Sequence, residues 1–272
     1  MLPIMLQLYN VRDELGKDFE GTLKQVAGVG YKFVELALAR AYGKTAPEFK
    51  AALDKAGLTA VSAHVPLADM VKDPEGAINF HLEIGCKFIV VPFLAPDDRS
   101  TGPNYETTKK EIANLGEIVK KKGAVLLYHN HEFEFVDYKG KYALDDLYDS
   151  IPANLLQTQV DVCWAKVGGV DPAEYILKYK GRAPVVHLKD FDTSQGGKVK
   201  ADYDLIGEAK KARAEGGFPF RAVGHGILDI PGILKAAEAA GAQWVVVEQD
   251  LPTPGKSPIE CAKDSLDYLK SL

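Results

Sequence analysis

Apolar and amphipathic stretches alternate along the whole chain. Eight short apolar runs have the length and the β-branched content of buried strands. Amphipathic stretches follow them, and in residues 105–122 the apolar residues Ile112, Leu115, Ile118 and Val119 recur at helical spacing. The pattern predicts strands over residues 4–9, 32–38, 58–67, 87–94, 124–131, 157–162, 184–190 and 243–249.

Eight strands that each precede a helix are the number found in a (β/α)8 barrel, so we predict a single TIM-barrel domain over residues 1–272. No linker, repeat or low-complexity tract divides the chain. The alternative, a doubly wound open sheet, usually has a glycine-rich turn after its first strand, and LYNVRDEL has none. The long irregular region 191–227, which contains SQGGKVK and the start of GHGILDIP, is typical of a functional loop.

The 272 residues carry a formal net charge of −5 and three widely spaced cysteines. This acidic balance argues against a nucleic-acid partner, because such proteins usually present a basic face. An odd cysteine count without a C-x-x-C motif argues against a disulfide framework and fits a reducing compartment. The sequence shows neither a signal peptide nor an apolar run of about 18 residues, so we expect a cytoplasmic protein without a membrane span.

Polar residues gather where the last four predicted strands end. Glu134, Asp161, His187 and Glu248 lie at or just past the ends of strands five to eight. In a barrel the carboxyl ends of all strands meet at one mouth. Mixed carboxylate and imidazole ligands suit one divalent cation, such as Mn, Co, Zn, Fe or Mg. We therefore predict a metal-dependent enzyme, a sugar isomerase or epimerase, with its site at these strand ends.

Each of these residues also has a structural interpretation. Asp161 fits a helix N-cap, and His187 fits a hydrogen-bonded core residue. Glu248 follows an apolar run, so its burial requires a metal or a basic partner. His129 and His131 share one side of their strand by period-two alternation, where both could bind the metal or move protons.

Three further residues are candidate substrate contacts. His64 ends the third predicted strand, where it either contacts a substrate hydroxyl or packs in the core. Trp164 is either a pocket wall or core. Lys189 either polarises a carbonyl or binds phosphate, or it forms an ion pair with a neighbouring carboxylate. The two glycines of GHGILD allow a ligand to approach the backbone closely, although a plain turn explains them equally well.

The chain as a whole resembles the xylose isomerase-like TIM-barrel family, and within it the bacterial proteins of the sugar phosphate isomerase/epimerase type. The similarity covers essentially all of the sequence. It specifies the superfamily well but does not specify a substrate. The segments that carry it are LQLYNVRDEL, YHNHEFEF, DVCWAKVGGVDP, HLKDFD, GHGILDIPGIL and VVVEQD.

The resemblance implies a ligand set. In the ketose 3-epimerases and inosose isomerases of this family, Glu, Asp, His and Glu on strands five to eight hold a divalent metal. The last three carry over to Asp161, His187 and Glu248. The usual strand-five glutamate aligns with His129, and we take Glu134 as the fourth ligand for its carboxylate, with His129 or His131 as alternatives.

The resemblance also implies a reaction, namely proton abstraction next to a carbonyl through a metal-bound enediolate. Glu248 is the expected base, and Glu134 or His131 is the opposing acid. Isomerisation or epimerisation of a sugar, sugar derivative or inosose is expected, and a dehydratase or lyase acting on a keto-sugar or a 3-keto-glycoside would use the same site. A homodimer or homotetramer is favoured, and the expected substrate contacts are His64, His129, Trp164 and Lys189.

Two other functions compete with this one. Apurinic-site endonucleases share the superfamily's barrel but hold a cluster of metals with additional histidines. Here Trp164 stands where a second histidine would follow Asp161, which disfavours a phosphodiesterase. A sugar-binding barrel without turnover is the other alternative, because the strand-five chemistry departs from the family pattern.

Overall fold

Eight parallel strands close into a barrel in the computed structural model, which describes residues 2–193 and 218–272. Each strand pairs with its neighbours in chain order, and the eighth pairs with the first. The predicted (β/α)8 TIM barrel is therefore confirmed. Its strands, numbered one to eight below, are Ile4–Gln7, Phe33–Leu36, Thr59–His64, Phe88–Val91, Val125–His129, Gln157–Asp161, Val185–Leu188 and Trp244–Val247.

The helices that surround the barrel agree with the amphipathic pattern, except for three short ones. Arg12–Lys17, Leu67–Lys72 and Val162–Val167 have six residues each, which is too short for a helical period to show in sequence. The other described α-helices are Phe19–Gly28, Ala46–Ala56, Pro74–Ile84, Tyr105–Lys121, Ala143–Ser150, Pro172–Lys178, Ile230–Ala240 and Pro258–Ser271.

Side-chain caps and prolines define where several helices begin. The Asp171 carboxylate accepts a hydrogen bond from the Glu174 N–H, and Pro172 occupies the first helical position. Ser257 and Glu260 form a capping box at the start of the last helix. These local interactions satisfy backbone N–H groups that have no partner within the helix.

The long region after strand seven is only partly described. Asp190–Phe191 pairs antiparallel with Phe220–Arg221, forming a small ribbon at the mouth side of the barrel. The SQGGKVK motif of the sequence analysis lies outside the described residues. No described helix combines the length and apolar character needed to cross a membrane.

Alternation along the strands builds a polar layer above an apolar one. Met5, Leu127, Val185 and Val246 belong to one buried apolar cluster, to which several different strands contribute. Residues two positions further along a strand lie on the same side of it. The inward-facing residues next toward the mouth are therefore Gln7, His129, His187 and Glu248, all of them buried.

Candidate active site

Strand register brings the polar strand ends into lateral contact. Asp161 is the pairing partner of His187, and His129 is the partner of Gln159. On the other side of the barrel, Glu35 pairs with both Gln7 and Ser62. One polar layer therefore joins residues that are distant in the sequence.

Four buried residues form a group that could hold a metal ion. His129, Asp161, His187 and Glu248 each offer one ligand atom, and these atoms all lie within 4.8 Å of one another. The structure thus brings Asp161, His187 and Glu248 together, as the sequence predicts. Strand five contributes His129 to this group.

Glu134 lies outside this group and faces a different environment. It follows the fifth strand in a 3-10 turn, Glu132–Phe135, where its Oε2 accepts a 2.7 Å hydrogen bond from the His131 N–H. The Tyr128 hydroxyl donates to its Oε1. Burial raises the pKa of Glu134 to about 8, although these two hydrogen bonds oppose the shift. Glu134 is therefore not in the group of four, whose residue from strand five is His129, one of the two predicted alternatives.

Asp161 caps a helix with one carboxylate oxygen and leaves the other available to a ligand. Its Oδ1 accepts a 2.8 Å hydrogen bond from the Trp164 N–H and so caps the helix Val162–Val167. Its Oδ2 is buried and has no hydrogen-bond partner. Burial raises the pKa of Asp161 to about 6, although Lys189 opposes the shift. A buried carboxylate oxygen that accepts no hydrogen bond is costly, and a bound cation would satisfy it.

His187 lies between two carboxylates. Its Nδ1 is 2.9 Å from Glu248 Oε2, and its Nε2 is 2.6 Å from Glu35 Oε1. Burial alone would lower the pKa of His187, but these two carboxylates outweigh it and raise the pKa to about 10. The surroundings of His187 therefore attract positive charge, as a cation site requires.

His129 and His131 differ from His187 in their charge. Burial lowers the pKa of both well below the usual value, and neighbouring positive groups add to the effect. Both imidazoles are therefore neutral at pH 7, and a neutral imidazole is the form that binds a metal. Of the two imidazoles in the group, His129 is therefore already in this form, and His187 would exchange its Nδ1 proton for the cation. With the carboxylates of Asp161 and Glu248, this donor set fits a divalent cation such as Mn, Co, Zn or Mg.

Lys189 neutralises the carboxylates at the mouth. Its Nζ lies 3.0 Å from Glu248 Oε2, 3.2 Å from Asp250 Oδ2 and 3.6 Å from Asp161 Oδ2. Burial alone would lower the pKa of Lys189, but Asp250, Glu248 and Asp161 outweigh it and raise the pKa well above its usual value. The same ammonium helps to keep the pKa of Glu248 well below normal against the effect of burial. Both groups are therefore charged at neutral pH.

Glu35 is a buried carboxylate that the sequence analysis missed. It is fully buried at the end of strand two, and its Oε1 contacts the Nε2 atoms of His64 and His187 at 3.0 and 2.6 Å. Burial would raise the pKa of Glu35, but these two imidazoles outweigh it and hold the pKa well below the usual range. The available signal was a lone acid in the apolar run KFVELAL, which demands a buried partner.

Aromatic side chains form one wall beside the candidate metal ligands. Trp164 packs against Phe218 and Phe220, and the Lys189 ammonium lies 5.3 Å from the centre of the Trp164 ring. Two buried nitrogens at this wall, Trp164 Nε1 and His131 Nδ1, have no hydrogen-bond partner. The centroids of the Trp164 and His131 rings are 5.6 Å apart. Such groups suit the hydroxyl oxygens of a polar ligand.

His64, predicted as a substrate contact, forms part of the polar layer. Its ring stacks on His187 with the centroids 5.2 Å apart, and its Nε2 is 2.8 Å from Gln159 Oε1. It is less buried than the other histidines of the site, with 11% of its side chain exposed. His64 therefore combines hydrogen bonds within the protein with partial access from the mouth.

A cavity of about 600 Å³ adjoins this site. It shares Asp250 and Phe220 with the surroundings of Lys189, and its rim carries Arg12 and Arg221. A volume of this size is in the range of small-molecule sites.

The GHGILD loop is held by a carboxylate of the protein itself. Asp190 accepts backbone N–H hydrogen bonds from Gly224, Gly226, Leu228 and Phe191 at 2.9–3.2 Å. A Cβ on Gly226 would lie 2.2 Å from Asp190 Oδ1. The backbone at Gly224 and Gly226 therefore lies close to the Asp190 carboxylate. Asp190 is the residue that follows Lys189 in the chain.

Comparisons with known proteins place the chain in a family. Residues 23–272 match the model of the xylose isomerase-like TIM barrel. The chain belongs to this family, as the resemblance of its motifs indicated.

Similar proteins of known name include inosose dehydratases. The one from Geobacillus kaustophilus is 24% identical over 92% of this chain and 86% of that protein. The one from Clostridium perfringens is 25% identical over 94% of this chain and 91% of that protein. A crystal structure of a sugar phosphate isomerase/epimerase from Parabacteroides distasonis shares the fold, with a TM-score of 0.78, 22% identity and coverage of 100% of this chain and 99% of that one.

Proposed function

We propose that this protein is a divalent-metal-dependent lyase that dehydrates a polyhydroxylated keto compound, such as an inosose or a keto-sugar. The observation that carries this proposal is the asymmetry of the site. The Glu248 carboxylate lies beside Lys189 on one side, whereas strand five contributes imidazoles and Glu134 faces away. The inosose dehydratases among the similar proteins support the same chemistry.

The asymmetry of the site favours dehydration over the expected epimerisation. Inverting the configuration of a carbon requires a proton to be removed on one face and returned on the other. The paired glutamates implied by the family resemblance would provide one such group on each face. Elimination requires one base for the proton next to the carbonyl and a proton for the departing hydroxyl. One carboxylate meets the first requirement here.

His129, Asp161, His187 and Glu248 would hold the cation. A bound divalent cation would supply Lewis acidity that stabilises negative charge on the substrate oxygens. Two observations support this assignment: Asp161 Oδ2 is buried and accepts no hydrogen bond, and the carboxylates around His187 favour positive charge.

Glu248 is the proposed base. Its Oε2 contacts His187 and Lys189, and its pKa is well below normal, so the carboxylate is ionised at neutral pH, which is the protonation state that a general base requires. It takes the proton from the carbon next to the carbonyl and returns it to the departing hydroxyl. A carbon–hydrogen bond and a carbon–oxygen bond break, a carbon–carbon double bond forms, and water leaves.

The remaining site residues bind and orient the substrate. Lys189 places a fixed positive charge next to Glu248, where it stabilises charge that develops on the carbonyl oxygen. Trp164 Nε1 and His131 Nδ1 hydrogen-bond substrate hydroxyls, and His64 does so from its partly exposed position.

The experiment is an incubation in deuterated water with Mn²⁺, Co²⁺ or Mg²⁺ and a panel of inososes, keto-sugars and 3-keto-glycosides. We expect at least one compound of the panel to lose water. The product would show the absorbance of a conjugated enone or enol and new NMR signals. Recovered substrate that carries deuterium or has an inverted centre, without elimination, would establish an epimerase or isomerase instead.

Two variants locate the reaction in this site. Glu248→Gln should lower turnover at least about 1000-fold, because the proton acceptor is removed. Glu83→Gln makes the same chemical change on an exposed helix residue and should leave turnover within about twofold. Equal activity of wild type and Glu248→Gln would contradict the assignment.

A further inference from the structure

The buried Glu35 carboxylate is connected to both imidazoles of the candidate metal group. Its Oε1 contacts Gln7 Nε2 at 2.8 Å, His187 Nε2 at 2.6 Å and His64 Nε2 at 3.0 Å. An ionised carboxylate only accepts hydrogen bonds. His187 must therefore carry a proton on Nε2 to make this contact.

A second connection from Glu35 passes through Gln159. Gln159 donates from Nε2 to Glu35 Oε2 at 2.7 Å, so its amide oxygen must point the other way. That oxygen lies 3.1 Å from His129 Nδ1 and 2.8 Å from His64 Nε2. Because an amide oxygen only accepts, His129 must carry a proton on Nδ1 to make this contact.

These two constraints determine which nitrogen of each imidazole keeps a free lone pair when a cation is held. In His187 it is Nδ1, which faces Glu248 Oε2 at 2.9 Å. In His129 it is Nε2, which faces Asp161 Oδ2 at 3.8 Å. Both nitrogens point at the carboxylates of the same group, so both lone pairs converge on one place.

We propose that Glu35 is a positioning residue that selects the metal-binding tautomer of His187 directly and that of His129 through the side-chain amide of Gln159. This inference rests on the metal site of the proposed function. The hydrogen bond made by the second ring nitrogen of a metal-binding histidine commonly fixes its orientation and tautomer. Here one carboxylate on strand two does so for ligands on strands five and seven.

The substitution Glu35→Gln tests the direction of these hydrogen bonds with little change in shape. The new amide has one accepting and one donating end. If the oxygen of the new amide at position 35 accepts from His187, its NH2 group faces the NH2 group of Gln159. The Gln159 amide must then rotate, which places its NH2 group next to His129 Nδ1. The protonated nitrogen of His129 then conflicts with a donor, and Nε2 no longer keeps its lone pair.

We therefore expect Glu35→Gln to weaken binding of Mn²⁺, measured by electron paramagnetic resonance on the purified chain, about 10-fold to 100-fold. Adding Gln159→Glu should restore the affinity to within about threefold of wild type, because the new carboxylate accepts from both the amide at position 35 and His129. Gln159→Glu alone places two carboxylates together and should also weaken binding. Rescue of this kind is not expected from a merely structural role.

Ser62→Ala is the matched control. Ser62 donates to Glu35 Oε2 but makes no hydrogen bond to an imidazole, so its loss should leave the Mn²⁺ affinity within about threefold. Far-UV circular dichroism and metal-free melting establish that each variant is folded. If Glu35→Gln does not fold, Gln159→Met interrupts only the path to His129 and should weaken Mn²⁺ binding about 10-fold.

Two failures are distinguishable, since no substrate is used. A wild-type chain that binds no Mn²⁺ would overturn the metal site of the proposed function and this inference with it. Wild-type binding that persists unchanged in Glu35→Gln, or that the double variant does not restore, would overturn this inference alone.

Discussion

At the scale of single residues, the chemistry of the site depends on which oxygen and nitrogen atoms lack a partner. Asp161 uses one carboxylate oxygen to cap a helix and leaves the other buried without a hydrogen bond. Glu134 is equally buried, but hydrogen bonds from Tyr128 and the His131 backbone occupy both of its oxygens. Asp161 and Glu134 are both buried near strand ends, but only Asp161 has an oxygen that is available to a cation.

The strand-five ligand can be tested by a pair of substitutions. We expect His129→Ala to weaken Mn²⁺ binding at least about 10-fold, because one ligand is lost. Glu134→Gln should change the dissociation constant by no more than about threefold, since Glu134 does not face the group. Isothermal titration calorimetry on folded variants measures both. The opposite order of effects would return Glu134 to the ligand set.

At the scale of elements, the strand ends carry the site, and the GHGILD loop is held against them by specific backbone contacts. Asp190 ties the GHGILD loop to the end of strand seven through three N–H groups of that loop. Gly224 has a φ of +84°, and a Cβ there would lie 2.2 Å from the Tyr268 ring. The loop therefore requires glycine at positions 224 and 226, because an added Cβ would clash at each.

Gly226→Ala should destabilise the protein by about 2 kcal/mol or more, because its Cβ would clash with Asp190 Oδ1 and, at 2.4 Å, with the Phe191 carbonyl oxygen. Gly16→Ala is the control. That glycine lies in the exposed helix Arg12–Lys17 with nothing within 4 Å of the added Cβ, so alanine should stabilise by up to about 1 kcal/mol. Urea unfolding measures both free energies, and equal effects would contradict the steric explanation.

The helix Pro74–Ile84 contains a histidine that should make stability depend on pH. Burial lowers the pKa of His81 to about 4, while its Nδ1 donates to the Ala77 carbonyl oxygen at 2.7 Å. As pH falls from about 6.5 to 4, the unfolded chain takes up a proton at this residue before the folded chain does. Stability should therefore be lost over this window, by up to about 3 kcal/mol from His81.

Urea unfolding of wild type and His81→Gln between pH 4.5 and 7.5 isolates this contribution. The variant lacks the titrating group, so its free energy of unfolding should fall less steeply as the pH is lowered. Parallel pH profiles for the two proteins would show that His81 does not contribute.

At the scale of the whole molecule, barrel closure brings together residues that are far apart in the chain. The contact between His187 and Glu35 joins residues 152 positions apart, and that between Lys189 and Glu248 links strands seven and eight. A cation at this site would therefore connect strands five to eight. Binding there should stabilise the barrel as a unit.

Metal binding should consequently raise the melting temperature. At a free Mn²⁺ concentration 100 times the dissociation constant, binding adds about 2.7 kcal/mol, or about 5–10 °C for a chain of this size. Calorimetric scans with Mn²⁺ and with a chelator measure the difference. Asp161→Asn should abolish most of it, and an equal shift in that variant would place the bound ion elsewhere.

The sequence alone determined the barrel, because strand and helix periodicities are local properties of eight successive segments. It also located Asp161, His187 and Glu248, since each follows an apolar strand whose carboxyl end must lie at the mouth. Alternation does not extend past a strand end, so it could not show that Glu134 turns toward Tyr128. Only the tertiary structure decided that His129 joins the group and that Glu35 contacts His187, because both depend on strand register and closure across the barrel.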